Sequence, residues 1–149
     1  MNMKRVKLIL NIILLLSLTG KAQLKANYDT LRKICEGPVF TLCEVMPYLT
    51  NGSEAYADTL MKYLSGRDIK IAPGKVTLQL VILRSGEMKF IQVEDSTMAD
   101  THELINAMEA IANQWTPGTQ NKHLVCCYRR IYIEVTENNL KVTVPKRLN

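Results

Sequence analysis

The clearest periodic signal in the chain lies between Lys75 and Val135. From Lys75 to Leu83, the residues Val76, Leu78, Leu80 and Ile82 alternate with Thr77, Gln79, Val81 and Leu83. Alternation at period two predicts a strand with one face in the core, and Val81 and Leu83 predict cover on both faces toward its end. Arg84-Ser85-Gly86-Glu87 is turn chemistry, with Gly86 free to take positive φ, and Met88 to Glu94 resumes as a second strand, so the pair predicts a β-hairpin. The period then lengthens. Leu104, Ile105, Met108, Ile111, Ala112 and Trp115 form one helical stripe, Asp100 and Glu103 have capping-box spacing, and Pro117-Gly118 supplies the stop. His123 to Val135 alternates again. Val125, Cys127, Ile131, Ile133 and Val135 fall on one face, and Cys126, Tyr128, Arg130, Tyr132 and Glu134 on the other. Arg129 interrupts the apolar face, which predicts a kink or a position beyond the core.

Weaker patterns flank this region. Tyr56, Leu60, Tyr63 and Leu64 predict a short amphipathic helix, capped at Ser53 or Asn51 and stopped at Gly66, after a loop at Pro47 to Gly52. Tyr28, Leu31, Ile34 and Cys35 suggest two turns of helix, and Leu140 to Val144 can return as a short strand through a turn at Glu137-Asn138-Asn139. The order helix, strand, strand, helix, strand predicts an α+β fold. Its sheet would be small and antiparallel, of three strands with a fourth available from the tail, and two helices would cover one face.

Composition places this pattern in an exported protein. Residues 1–22 have a basic start, an apolar run from Leu8 to Leu18 broken by Asn11 and Ser17, and small residues at Gly20 and Ala22, which suits a signal peptide cleaved after Ala22. The run is well short of the roughly 20 residues a spanning helix needs. The formal charge of +5 is largely carried by Lys4, Arg5, Lys7 and Lys21, so the chain from Gln23 onward is close to neutral. That removes most of the electrostatic drive toward nucleic acid or an anionic membrane. Cys35, Cys43, Cys126 and Cys127 all follow the signal, and an oxidising compartment permits disulfides among them. Neighbours on a strand point to opposite faces, so bridges from Cys35 or Cys43 to the 126/127 pair are favoured over a bond between adjacent residues. Buried free thiols are the alternative.

Catalytic constellations are scarce, and the reading is of a non-enzyme without cofactor or metal. His102-Glu103-Leu104-Ile105-Asn106 lacks the second histidine of a zinc-protease helix, and His123 with Cys126 and Cys127 lacks metal-ligand spacing. Phosphate-loop, nucleophile-elbow and dinucleotide fingerprints are absent.

The combination of Gly74-Lys75-Val76, a hairpin turning at Gly86, a helix ending in Trp115-Thr116-Pro117-Gly118-Thr119-Gln120-Asn121 and a final alternating strand resembles the C-terminal domain of TonB in its Bacteroidota form. Tyr48 to Ala55 looks like a degenerate copy of that family's segment ahead of its first helix. The resemblance covers 47–135, leaving 23–46 as an N-terminal extension and 136–149 as a tail or extra edge strand. Ala72-Pro73 stands where the family has Tyr-Pro, and Lys122 where glycine is usual. A retained membrane helix and a Pro-rich spacer, which energy transduction requires, are not expected here.

The resemblance implies a module that grips an extended peptide of an outer-membrane transporter by strand addition. It points to the strand Val125, Cys126, Cys127, Tyr128, Arg129, Arg130, Ile131, Tyr132 and Ile133 as the peptide-binding edge, with Trp115, Pro117 and Gly118 as structural motif residues. Pairing of Leu140 to Val144 with that same edge would block the site. The alternative is an envelope protein that kept the fold and associates structurally, with itself as a homodimer or with another protein. No small-molecule substrate is expected.

Overall fold

The computed structural model describes residues 29–145, so the expected signal peptide lies outside the described residues. The chain divides into two compact units, 1–38 and 39–149. In the first, helix α1 covers 29–34 and unwinds where the amide of Cys35 donates to Leu31 O at 2.9 Å and Glu36 turns to φ 49°. The second begins upstream of Pro47 and takes in the tail.

Among the described residues, the second unit has eight strands and two helices. The strands are β1 (Val39–Phe40), β2 (Tyr48–Leu49), β3 (Gly74–Ile82), β4 (Met88–Ser96), β5 (Trp115–Thr116), β6 (Gly118–Gln120), β7 (His123–Val135) and β8 (Leu140–Thr143). Helix α2 runs Gly52–Ser65 and α3 runs His102–Ala110. The α+β class agrees with the sequence reading, but the strand count does not. Six strands form one sheet in the order β1-β7-β3-β4, with β6 and β8 also paired to β7, and β2 pairs β5 separately.

The long alternating segments fold as their periods dictate. β3 and β7 pair antiparallel without interruption from Gly74↔Val135 to Ile82↔Cys127. That continuous register rules out the kink expected at Arg129, which pairs in line with Leu80. β3 and β4 form the expected hairpin, closed by Leu83 N–H to Glu87 O at 2.8 Å and Gly86 N–H to Leu83 O at 2.9 Å, with Gly86 at φ 82°. A side chain at Gly86 would collide with the carbonyl of Trp115, so both the turn and its neighbour demand glycine.

One face of the sheet is the core. Val76, Leu78, Leu80 and Ile82 of β3 and Ile131, Ile133 and Val135 of β7 pack with Leu140 and Val142 of β8 beneath Tyr56, Ala57, Leu60 and Leu64 of α2 and Leu104, Ala107 and Met108 of α3. The opposite face carries Lys75, Thr77, Gln79, Arg130, Tyr132 and Glu134, then closes toward the Ile82 end, where Val81 and Cys126 are buried.

Two elements depart from their predicted bounds. α3 stops at Ala110, and its start uses Asp100 Oδ1 to accept the His102 amide at 2.9 Å, with no capping bond from Thr101. Trp115 is therefore not helical. It sits in β5, where Leu49↔Trp115 and Tyr48↔Thr116 pair, so the expected loop at Pro47 to Gly52 contributes a strand. The tail does return, as β8, with Val135↔Leu140 through Tyr132↔Thr143.

Candidate functional site

The sequence reading places β7 at an exposed edge, whereas the structure pairs it with β3, β1, β6 and β8. β3 covers one side from Cys127 to Val135. On the other side, β1 runs parallel at Cys126 and Cys127, and β8 runs antiparallel from Tyr132 to Val135. Val125 pairs with Gly118 of β6. Of the nine residues from Val125 to Ile133, Cys127, Tyr132 and Ile133 have strands on both sides, Val125 pairs with β6 and Cys126 with β1, and Tyr128, Arg129, Arg130 and Ile131 pair with β3 alone among the described residues. Four residues span about 13 Å of strand.

The gap has a chemical cause. β8 would need to continue past Thr143 to fill it, but Pro145 has no amide to donate to a ladder, and pairing ends at Tyr132↔Thr143. From the other end, β1 is two residues long and follows Pro38 directly. A disulfide between Cys43 and Cys127, 84 residues apart, ties the segment after β1 to β7. Cys35 and Cys126 are also oxidised, and no cysteine is free.

Around the gap, side chains divide by face. Arg130 lies on the outer face and forms a fork with Glu94 of β4, Nε to Oε2 at 2.5 Å and Nη2 to Oε1 at 2.8 Å. That arginine holds the Glu94 carboxyl below the ordinary carboxylate range, and the carboxylate in turn raises the guanidinium. Arg129 lies on the core face. Its Nη2 donates to the carbonyl of Pro145 at 2.5 Å, while its Nε is enclosed with no acceptor. Burial pushes this guanidinium below its ordinary value.

The outer face also holds a grouping that the sequence does not reveal. Lys75, Glu134 and Lys141 form one cross-strand row, and Asp95, Thr77, Tyr132 and Thr143 form the next. Lys75 Nζ pairs with Glu134 Oε1 at 3.1 Å, and a cavity of about 310 Å³ lies over the two rows. Only strand register brings these residues together, because they come from four strands spread over 69 positions.

The motif residues have structural roles. Trp115 is buried in the core cluster. Gly118 lies where an added Cβ would come within 2.7 Å of Cys127 Sγ and 3.0 Å of Val45 O. His102 and His123 are solvent-facing, and no group of three or more His, Cys, Asp or Glu among the described residues could hold a metal ion. Among the described residues no helix is long and apolar enough to cross a membrane. No family model, curated protein or solved structure matches this chain.

Proposed function

We propose that the chain is an exported protein-binding module of the TonB C-terminal type, which takes an extended segment of an outer-membrane transporter by strand addition. The observation that carries this reading is the stretch of β7 at residues 128–131 whose side away from β3 has no strand partner among the described residues. Backbone groups there can pair with an incoming segment, and Arg129 and Arg130 stand on either face to set its register. Oxidised cysteines suit the periplasm or the exterior, reached through the signal peptide at 1–22. Energy transduction itself is not part of the reading.

The free edge of the sheet at β4 is a poorer site. Its register against β3 is broken at two places, Phe90 sits at φ 54°, and Lys89, Glu94 and Asp95 line it. Bulges and charges of this kind are how sheets resist edge pairing.

An NMR titration with peptides from the plug domains of outer-membrane transporters tests the proposal. Saturable shifts at the amides of 128–131, with a Kd near the micromolar scale, are expected. Shifts confined to β4, or none at millimolar peptide, would overturn it. A second reading, self-association in the envelope, is favoured by Val45 and Leu124, which flank Thr119 in cross-strand register and are each about half exposed. Sedimentation across a concentration series separates the two, because self-association grows with protein concentration.

A further inference from the structure

Arg129 is the one cation on the core face of β7, set between Cys127 and Ile131 and opposite buried Leu80. An arginine in an apolar layer must be met by an acceptor, since a buried charged donor left unpaired is costly. Its guanidinium reaches the side of β7 on which β8 lies, where the Pro145 carbonyl accepts from Nη2 and Nε finds nothing. No carboxylate among the described residues pairs with it: Glu94 is engaged by Arg130 and Glu134 by Lys75. A half-buried guanidinium with a single carbonyl for a partner therefore sits in the stretch of its own strand, 128–131, that pairs with β3 alone among the described residues.

We infer that Arg129 is a carboxylate receptor within the strand-addition site, an assignment that rests on the reading proposed above. A segment lying along 128–131 places an aspartate or glutamate side chain on the core face, where Nε and Nη2 of Arg129 donate to its two oxygens as a fork. Planar fork-to-fork pairing is the strongest geometry open to arginine, and lysine cannot reproduce it. In the free chain the Pro145 carbonyl holds Nη2 in place, and the bound carboxylate replaces that single bond with two. The ligand class is thus an extended peptide with an acidic residue between β-forming neighbours.

Two titrations of the isotope-labelled, oxidised full chain test this. The first compares blocked pentapeptides Thr-Val-Glu-Val-Thr and Thr-Val-Gln-Val-Thr. Both should move the amides of 128–131, with the glutamate peptide binding about tenfold tighter, as expected of a charge-assisted fork. Arg129→Met should abolish that difference and Arg129→Lys should keep only part of it, while thermal melts verify that both variants fold. Equal affinity of the two peptides for the parent chain overturns the carboxylate role and leaves strand addition standing. No shift with either peptide overturns strand addition at this gap and the inference with it. The second titration uses acetate against chloride at constant ionic strength. The Arg129 Nε–H signal should move with acetate only, and an unmoved signal overturns the receptor whatever the peptides do.

Discussion

At the residue scale, burial and pairing decide what each side chain is worth. Tyr56 is buried with its hydroxyl unpaired, and desolvation pushes its phenol far above the ordinary value. Tyr56→Phe removes that orphan without opening a cavity, so stability should hold or rise by up to about 1 kcal/mol. Leu60, fully buried four residues on, offers the contrast: Leu60→Ala should cost about 2 to 5 kcal/mol. Urea midpoints of the two variants check both. Glu94 gives a pH dependence with a defined sign. Its carboxyl is held low in the folded state by Arg130, so the stabilisation is present above the unfolded carboxylate value and is lost as pH falls through the folded one. Glu94→Gln should therefore be less stable than the parent near neutrality and converge with it in acid, as followed by denaturant melts across pH. Arg129 shows how a single residue was legible as an anomaly without being interpretable. The alternating pattern marks it as wrong for its face, but only the position of Pro145 shows where its guanidinium goes.

Element by element, the long strands were readable because nine or more residues of alternation leave one register that buries every apolar side chain. β7 appears with the bounds His123–Val135 that its pattern predicts. The two-residue strands β1, β2 and β5 carry no such signal, since alternation cannot be seen over two positions. α3 is shorter than its stripe because Trp115 is needed in β5, where Leu49 pairs with it. Tertiary pairing overrode a helical period there. β8 is half buried in the core through Leu140 and Val142 and packs against α2, so it is a structural strand of the sheet. Leu140→Ala should cost about 2 to 5 kcal/mol and speed hydrogen exchange of the amides of 132–135 that face β8. Exchange at 128–131 should stay as it was, fast at the amides that point away from β3 and slow at those that point toward it. Uniform protection across 128–131 in the parent chain would show the gap to be closed.

For the whole molecule, the disulfide between Cys43 and Cys127 is the longest-range constraint within the second unit that the residue pattern anticipated as one of its options. Closing a loop of 84 residues restricts the unfolded chain by about 4 to 5 kcal/mol in chain-entropy terms. Replacing both cysteines with alanine should lower the melting temperature accordingly. The same variant should loosen the segment that carries β1, extending fast exchange from 128–131 to Cys126 and the residue at 127. A melting temperature that does not change would place the stabilisation of this segment in β-pairing and core packing. In the sheet of the second unit β4 is blunted by bulges and charges and β8 is packed by α2, and the proposed site uses the stretch of β7 that pairs with β3 alone.

Sequence alone determined the α+β class, the β3–β4 hairpin and β7, because hydrophobic periodicity and turn residues act locally and need no knowledge of neighbours; it left the tail and the cysteine pairing open, and tertiary structure settled the tail as β8 and joined Cys43 to Cys127. Tertiary structure decided which side of β7 is free. An edge is a relation between strands, and β1 and β8 come from opposite ends of the unit, nearly a hundred residues apart, so no local pattern can state that they share one side of β7. The same holds for Arg129 and its gap. The residue could be read from the chain, and its unpaired surroundings exist only once the sheet is assembled.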